Sequence, residues 1–195
     1  MNRFTILPCA IALVVALPGA IAQAQPQVAS PPAAAAQVRP TLPTSITAYL
    51  EGDWAGAGTF ARSGLPVAST FSFRTTLDGE AMKVDHAEVA PNTFAYSGVI
   101  TIDSRSGDVV LVMASNKGGG ARLLRSKGWI GETLAFEAAP ELQAWFARER
   151  ITFERLGPDR FRATYEMSRD DGLTWRTGDV QTFGRTPVSI GAGSA

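Results

Sequence analysis

The chain carries one histidine, His86, and its setting decides which acid–base or ligand chemistry is open to it. In the run AMKVDHAEV it alternates with Met82, Val84 and Glu88. On an extended strand these four side chains share one face. A lone polar ring on such a face is ordinarily satisfied by a neighbour, here Glu88, Tyr96 or a backbone carbonyl. Its less common use is to orient a small molecule in an apolar pocket. That use would draw on Glu88, Tyr96 and Tyr165, polar members of similar alternating runs.

Harder chemistry finds little support. A metal would want partners for His86, and there is no second histidine, no cysteine besides Cys9 and no Asp-x-Asp-x-Asp-Gly loop. No metal and no cofactor are therefore expected. Serine–histidine catalysis would want a Gly-x-Ser-x-Gly elbow, which is missing. Glu88, Glu137 and Glu166 are free to meet as a carboxylate pair, but nothing in their spacing requires it. NKGGGAR reads as a hairpin turn rather than a phosphate loop, because no helix follows it. Trp129 and Trp145 read as core or barrel-end plugs.

The elements that position these residues have a period of two. STFSFRT puts Phe71 and Phe73 on one face, and FAYSGVITID puts Tyr96, Gly98, Ile100 and Ile102 together with Phe94. ITFERL and RFRATYEM repeat the pattern, the second aligning Phe161, Ala163, Tyr165 and Met167. Turn signals such as LDGE, APNT, DSRSGD and LGPDR separate the runs. About ten short strands in an antiparallel meander follow from this spacing. So many strands curl and close, which removes exposed edges. The fold class is all-β, an up-and-down barrel, with a two-sheet sandwich as the alternative. Two short helices are expected, one in TSITAYLEG with Ser45 as N-cap and one in APELQAWFAR starting at Pro140. The interleaved charges of RERITFER and DRFRATYEMSRDD read as a solvated outer face with cross-strand ion pairs.

One hairpin is written out in full. Ser168-x-Asp170-x-Gly172-x-Thr174-Trp175 places an acid where it can accept turn N–H bonds and a glycine where φ is positive. Ser168 ties the incoming strand and Trp175 covers the hairpin base. The pattern resembles the Asp box of sialidase propellers. It occurs once in this chain, whereas a propeller repeats its signature blade after blade, so it is read as a self-supporting hairpin and not as a glycosidase.

The N-terminus predicts export. Arg3 precedes the apolar run FTILPCAIALVVALPGAIA, and Ala22-Gln23-Ala24 offers a small-x-small site, so residues 1–24 read as a signal peptide cut after Ala24. Cys9 leaves with it, and a domain exported into a space that permits disulfides uses none. Residues 25–43 are rich in Pro and Ala, without an aromatic residue, and read as a disordered linker. The domain is 44–186 and the tail 187–195. The whole chain balances 18 basic against 18 acidic side chains. No basic stripe suggests nucleic acid, and no membrane span is expected after cleavage.

YLEGDWAGAGTF, with a short helix before Gly52-x-Trp54 and a glycine-rich strand through Gly56 and Gly58, resembles the opening of lipocalin-type (calycin) barrels. With GGARLLRSKGWIGETLAFE and TYEMSRDDGLTW it is similar to a bacterial family of secreted lipocalin-like proteins of unknown function. The resemblance implies that Trp54 plugs one barrel end under an arginine of the last strand, Arg185 or Arg176, and that Gly56 and Gly58 bend the first strand. The related nitrobindins hold haem through a histidine near the C-terminal end. No histidine follows His86, so haem is not expected.

The reading is an exported, non-enzymatic barrel in the periplasm or outside the cell. It is expected to bind a small, partly apolar ligand near His86, Tyr96 and Tyr165. The alternatives are a filled barrel acting as an interaction module of the cell envelope, and an unrecognised hydrolase. An interior packed solid by Phe, Met and Leu would end the first reading, and the third needs acids with raised pKa in a cleft.

Overall fold

The structure is a computed structural model, and it describes residues 39–144 and 146–187. The expected signal peptide, most of the linker, Trp145 and all but the first residue of the tail lie outside that range. Helix α1 (Thr44–Leu50) leads into eleven strands: β1 (Gly52–Phe60), β2 (Pro66–Thr76), β3 (Ala81–Glu88), β4 (Ala95–Ile102), β5 (Val109–Ser115), β6 (Arg122–Ser126), β7 (Trp129–Ile130), β8 (Thr133–Ala138), β9 (Arg148–Gly157), β10 (Arg160–Ser168) and β11 (Arg176–Arg185).

The pairing is antiparallel throughout and runs β6-β5-β4-β3-β2-β1-β11-β10-β9-β8, with β6 and β8 joined as well. Ten strands thus form a closed ring, and β7 is a short spur on β8. Two register pairs join β6 to β8, Leu124 with Ala138 and Arg125 with Glu137. The expected alternation sets the faces. Phe71 and Phe73 of β2, Met82, Val84 and His86 of β3, and Phe161 and Ala163 of β10 are buried inside. Gly58 lets β1 and β11 lie close, since a Cβ there would fall 1.8 Å from the Val180 carbonyl oxygen. A bulge between Tyr165 and Glu166 shifts the β10–β11 register near the open end.

α1 caps one end. Ile46 and Leu50, four apart on one helix face, are fully buried. Leu42, on the linker side of the expected domain boundary, is also buried, and its N–H donates to the Gly79 carbonyl. Pro43 stands at the N-cap with no side-chain hydrogen bond, and Ser45 lies inside the helix. The Ser45 carbonyl instead accepts Trp129 Nε1 and Arg155 Nη2. Trp54 is buried beneath this cap, and Arg185, not Arg176, lies 4.2 Å over its ring. Arg185 donates to the carbonyls of Tyr49 and Glu51 and pairs with Asp159. Gly52 has φ +119°, and a Cβ there would crowd the Arg185 guanidinium.

The second expected helix does not form among the described residues of 139–144. Strand β6 takes their backbone groups instead: Leu123 N–H donates to the Leu142 carbonyl, and Ala139 N–H donates to the Leu123 carbonyl. Sheet completion wins over a weak local preference. No helix among the described residues is long and apolar enough to cross a membrane.

Candidate ligand-binding site

The barrel interior has two storeys. Near α1 it is solid: Trp54, Phe73, Phe136, Phe153, Phe161 and Phe183 are fully buried, with ring centroids of Phe161 4.7 Å from Trp54 and 4.9 Å from Phe183. Toward the other end lies a cavity of about 1220 Å³ that opens at the mouth. Phe71, Phe94, Met113 and Ile151 supply its apolar wall, and many polar and charged side chains line the rest, several of them toward the mouth.

His86, Glu88, Tyr96 and Tyr165 all line this cavity, but they do not form one cluster. His86 and Tyr96, register partners on β3 and β4, stack with centroids 5.1 Å apart, and Phe71 covers the imidazole at 4.5 Å. His86 makes a hydrogen bond to the backbone of Thr70, and its Nδ1 has no partner among the described residues. Burial drives its pKa down to about 4, so the ring is neutral at pH 7. The Tyr96 hydroxyl also lacks a partner among the described residues, and burial holds its pKa well above the usual tyrosine range.

Tyr165 belongs to a different group. Its hydroxyl donates to Glu149 Oε1 at 2.8 Å, and Arg122 Nη1 donates to both oxygens of the same carboxylate at 2.9 and 3.2 Å. Arg122 and Glu149 are 2% and 1% exposed, which makes them a buried ion pair inside the barrel. This corrects the expectation that the RERITFER charges form a solvated face. Arg150, Glu154, Arg162 and Glu166 do lie outside, paired at 2.8 and 2.9 Å. Glu149 does not, because it is in phase with Ile151 and Phe153, as Arg122 is with Leu124. That phase was the signal for both residues.

Glu88 sits nearer the mouth. Burial, and to a lesser degree Asp179, raise its pKa, and burial raises that of Asp179 as well. Gln181 donates to Asp179 at 3.0 Å and accepts the Ser69 hydroxyl at 2.7 Å. No group of three or more metal-ligating side chains is found among the described residues.

The Ser168–Trp175 hairpin forms part of the mouth. Ser168 Oγ donates to Asp170 at 2.7 Å and accepts the Gly172 N–H at 2.8 Å. Thr174 donates to Asp170 through its N–H at 2.9 Å and its hydroxyl at 2.5 Å. These bonds hold the Asp170 carboxyl at a pKa of about 2, with the Thr174 and Ser168 hydroxyls the leading causes. Gly172 has φ +90°. Trp175 packs on the outer wall under Arg150, 4.2 Å from its guanidinium.

No protein-family model matches the chain, and no curated protein does. Solved structures do match. Rv2717c from M. tuberculosis has a TM-score of 0.52 at 16% identity, covering 74% of this chain and 97% of that one. The S-type phycobiliprotein lyase CPES from Guillardia theta has a TM-score of 0.51 at 10% identity, covering 73% and 92%. Such likeness is one of fold: a closed antiparallel β-barrel.

Proposed function

We propose that the chain is an exported barrel that performs no catalysis and holds a small, partly apolar ligand in its open storey, against His86, Tyr96 and Tyr165. The cavity carries this reading. Apolar walls with a few buried polar groups are the usual make-up of a small-molecule site, and a filled barrel would have no such space. The test is the fluorescence of N-phenylnaphthylamine, a neutral apolar dye. Saturable enhancement is expected, and Ala163→Phe, which fills the cavity, should weaken it severalfold. No enhancement with folded protein would end the reading. Export rests on the N-terminal pattern. Mass spectrometry of protein recovered from the envelope and medium should find a chain beginning at Gln25, and an intact Met1 on protein in the cytoplasm would refute it.

A hydrolase has one observation in its favour: Glu88 and Asp179, both with raised pKa, face the same cavity. An Asp179→Asn variant that abolished turnover of a model ester or glycoside would install that reading in place of the first.

A further inference from the structure

Arg122 uses only part of its guanidinium on Glu149. Nη1 makes the ion pair, while Nε and Nη2 are buried and have no partner among the described residues. Those two atoms share one edge of the planar group and point their N–H bonds the same way. Leaving a charged donor buried and unmatched is costly. Arg122 and Tyr96 both line the cavity, and the Tyr96 hydroxyl is also buried without a partner among the described residues. A two-donor fork and a free hydroxyl on the wall of one cavity suit a planar carboxylate.

The charges around the cavity agree. Arg62, Lys117, Arg169 and Arg176 line its outer part, and none makes an ion pair among the described residues. Of the acids, Glu149 is matched by Arg122 and Tyr165, and Asp170 is committed to its hairpin. Burial draws the remaining two, Glu88 and Asp179, toward their neutral forms. The cavity therefore presents excess positive charge to whatever enters.

We infer that the ligand is an amphipathic organic acid that binds head-inward, its carboxylate on the Nε–Nη2 edge of Arg122 and the Tyr96 hydroxyl, its apolar body along Phe71, Phe94, Met113 and Ile151. This rests on the proposed function above and names the class of molecule for that site.

Displacement of N-phenylnaphthylamine by matched acid and alcohol pairs tests it: dodecanoate with dodecanol, and naphthaleneacetate with naphthaleneethanol. In the wild type, the acid of at least one pair should displace the dye at a concentration about tenfold or more below its alcohol, as a charged hydrogen bond implies. Arg122→Met alone strands Glu149 and endangers folding, so the informative variant is Arg122→Met with Glu149→Gln, which removes both charges and keeps an acceptor for Tyr165. Its acid-to-alcohol ratio should fall close to one. Read within each variant, that ratio is independent of dye affinity. Equal displacement by acid and alcohol in the wild type overturns the inference while leaving the ligand-binding reading intact. So does a preference that survives the double variant but disappears in Arg169→Ser with Arg176→Ser, since the head would then sit at the mouth. A dye that never binds defeats the underlying reading instead.

Discussion

The two storeys of the barrel are built from the same strands, and four residues along the inner face separate one chemistry from the other. On β9 the change is from Phe153 to Glu149, on β10 from Phe161 to Tyr165, on β4 from Ile100 to Tyr96, and on β3 from Met82 to His86. On β6 it takes two residues, from Leu124 to Arg122. On these five strands the polar inner positions lie toward the mouth, while Phe71 of β2 and Met113 of β5 keep part of the cavity wall apolar. The storey under α1 spends its inner positions on aromatic packing and supplies stability. The storey at the mouth spends them on groups that pair with one another or wait for a partner. A barrel closed by backbone bonds can carry both, because the ring does not depend on what fills it.

The sharpest way to break the contrast is to remove packing from the closed storey. Phe161→Ala should cost about 3–5 kcal/mol of unfolding free energy in urea, while Tyr165→Phe, on the same strand in the open storey, should cost about 1 kcal/mol. Similar costs would mean that the two storeys do not divide the work. Next comes the ion pair. Glu149→Gln leaves Arg122 buried without its counter-charge and should cost about 3 kcal/mol, and adding Arg122→Met should recover most of it. A double variant no better than the single one would contradict this account of the pair.

Acid sharpens the comparison through His86. Its folded pKa of about 4 lies below the ordinary 6.5. Above pH 6.5 the ring is neutral whether the chain is folded or not. As pH falls from 6.5 to 4 the unfolded chain takes up a proton that the folded chain refuses, so stability drops by roughly 3 kcal/mol across that window. The raised pKa values of Glu88 and Asp179 act in the opposite sense and are common to wild type and variant, so the difference isolates the imidazole. His86→Phe should abolish this loss, measured as urea midpoints from pH 7 to 4. The smallest effect belongs to the mouth hairpin: Ser168→Ala should cost about 1 kcal/mol, loosening the loop with little effect on the closed storey.

The wall of the barrel was legible and part of its contents was not. Alternation in AMKVDHAEV and RFRATYEM assigned the inner faces, because in a closed sheet facing is a matter of parity alone. The hairpin was legible because its geometry is local, whereas Trp54 under Arg185 came from the resemblance to lipocalin-type openings. Glu149 escaped because the RERITFER charges were read as solvated, and Arg122 because it was read only as the end of the NKGGGAR turn, although their phase with Leu124, Ile151 and Phe153 said otherwise. Residue type and residue phase conflicted there, and phase won because each charge brought its own counter-charge inside. The helix expected after Pro140 failed for a non-local reason, the need of β6 for hydrogen-bond partners. The cavity itself was beyond sequence, since it depends on ring circumference and on how far the aromatic layer reaches.

The join between β6 and β8 is the thinnest part of the ring, with two register pairs and the two backbone bonds of Leu123. Rupture of so few links leaves the other nine pairings in place, so amides on this side should exchange with solvent through a local breathing motion well before the molecule melts. It is a zip in an otherwise sewn garment, and it runs alongside Arg122.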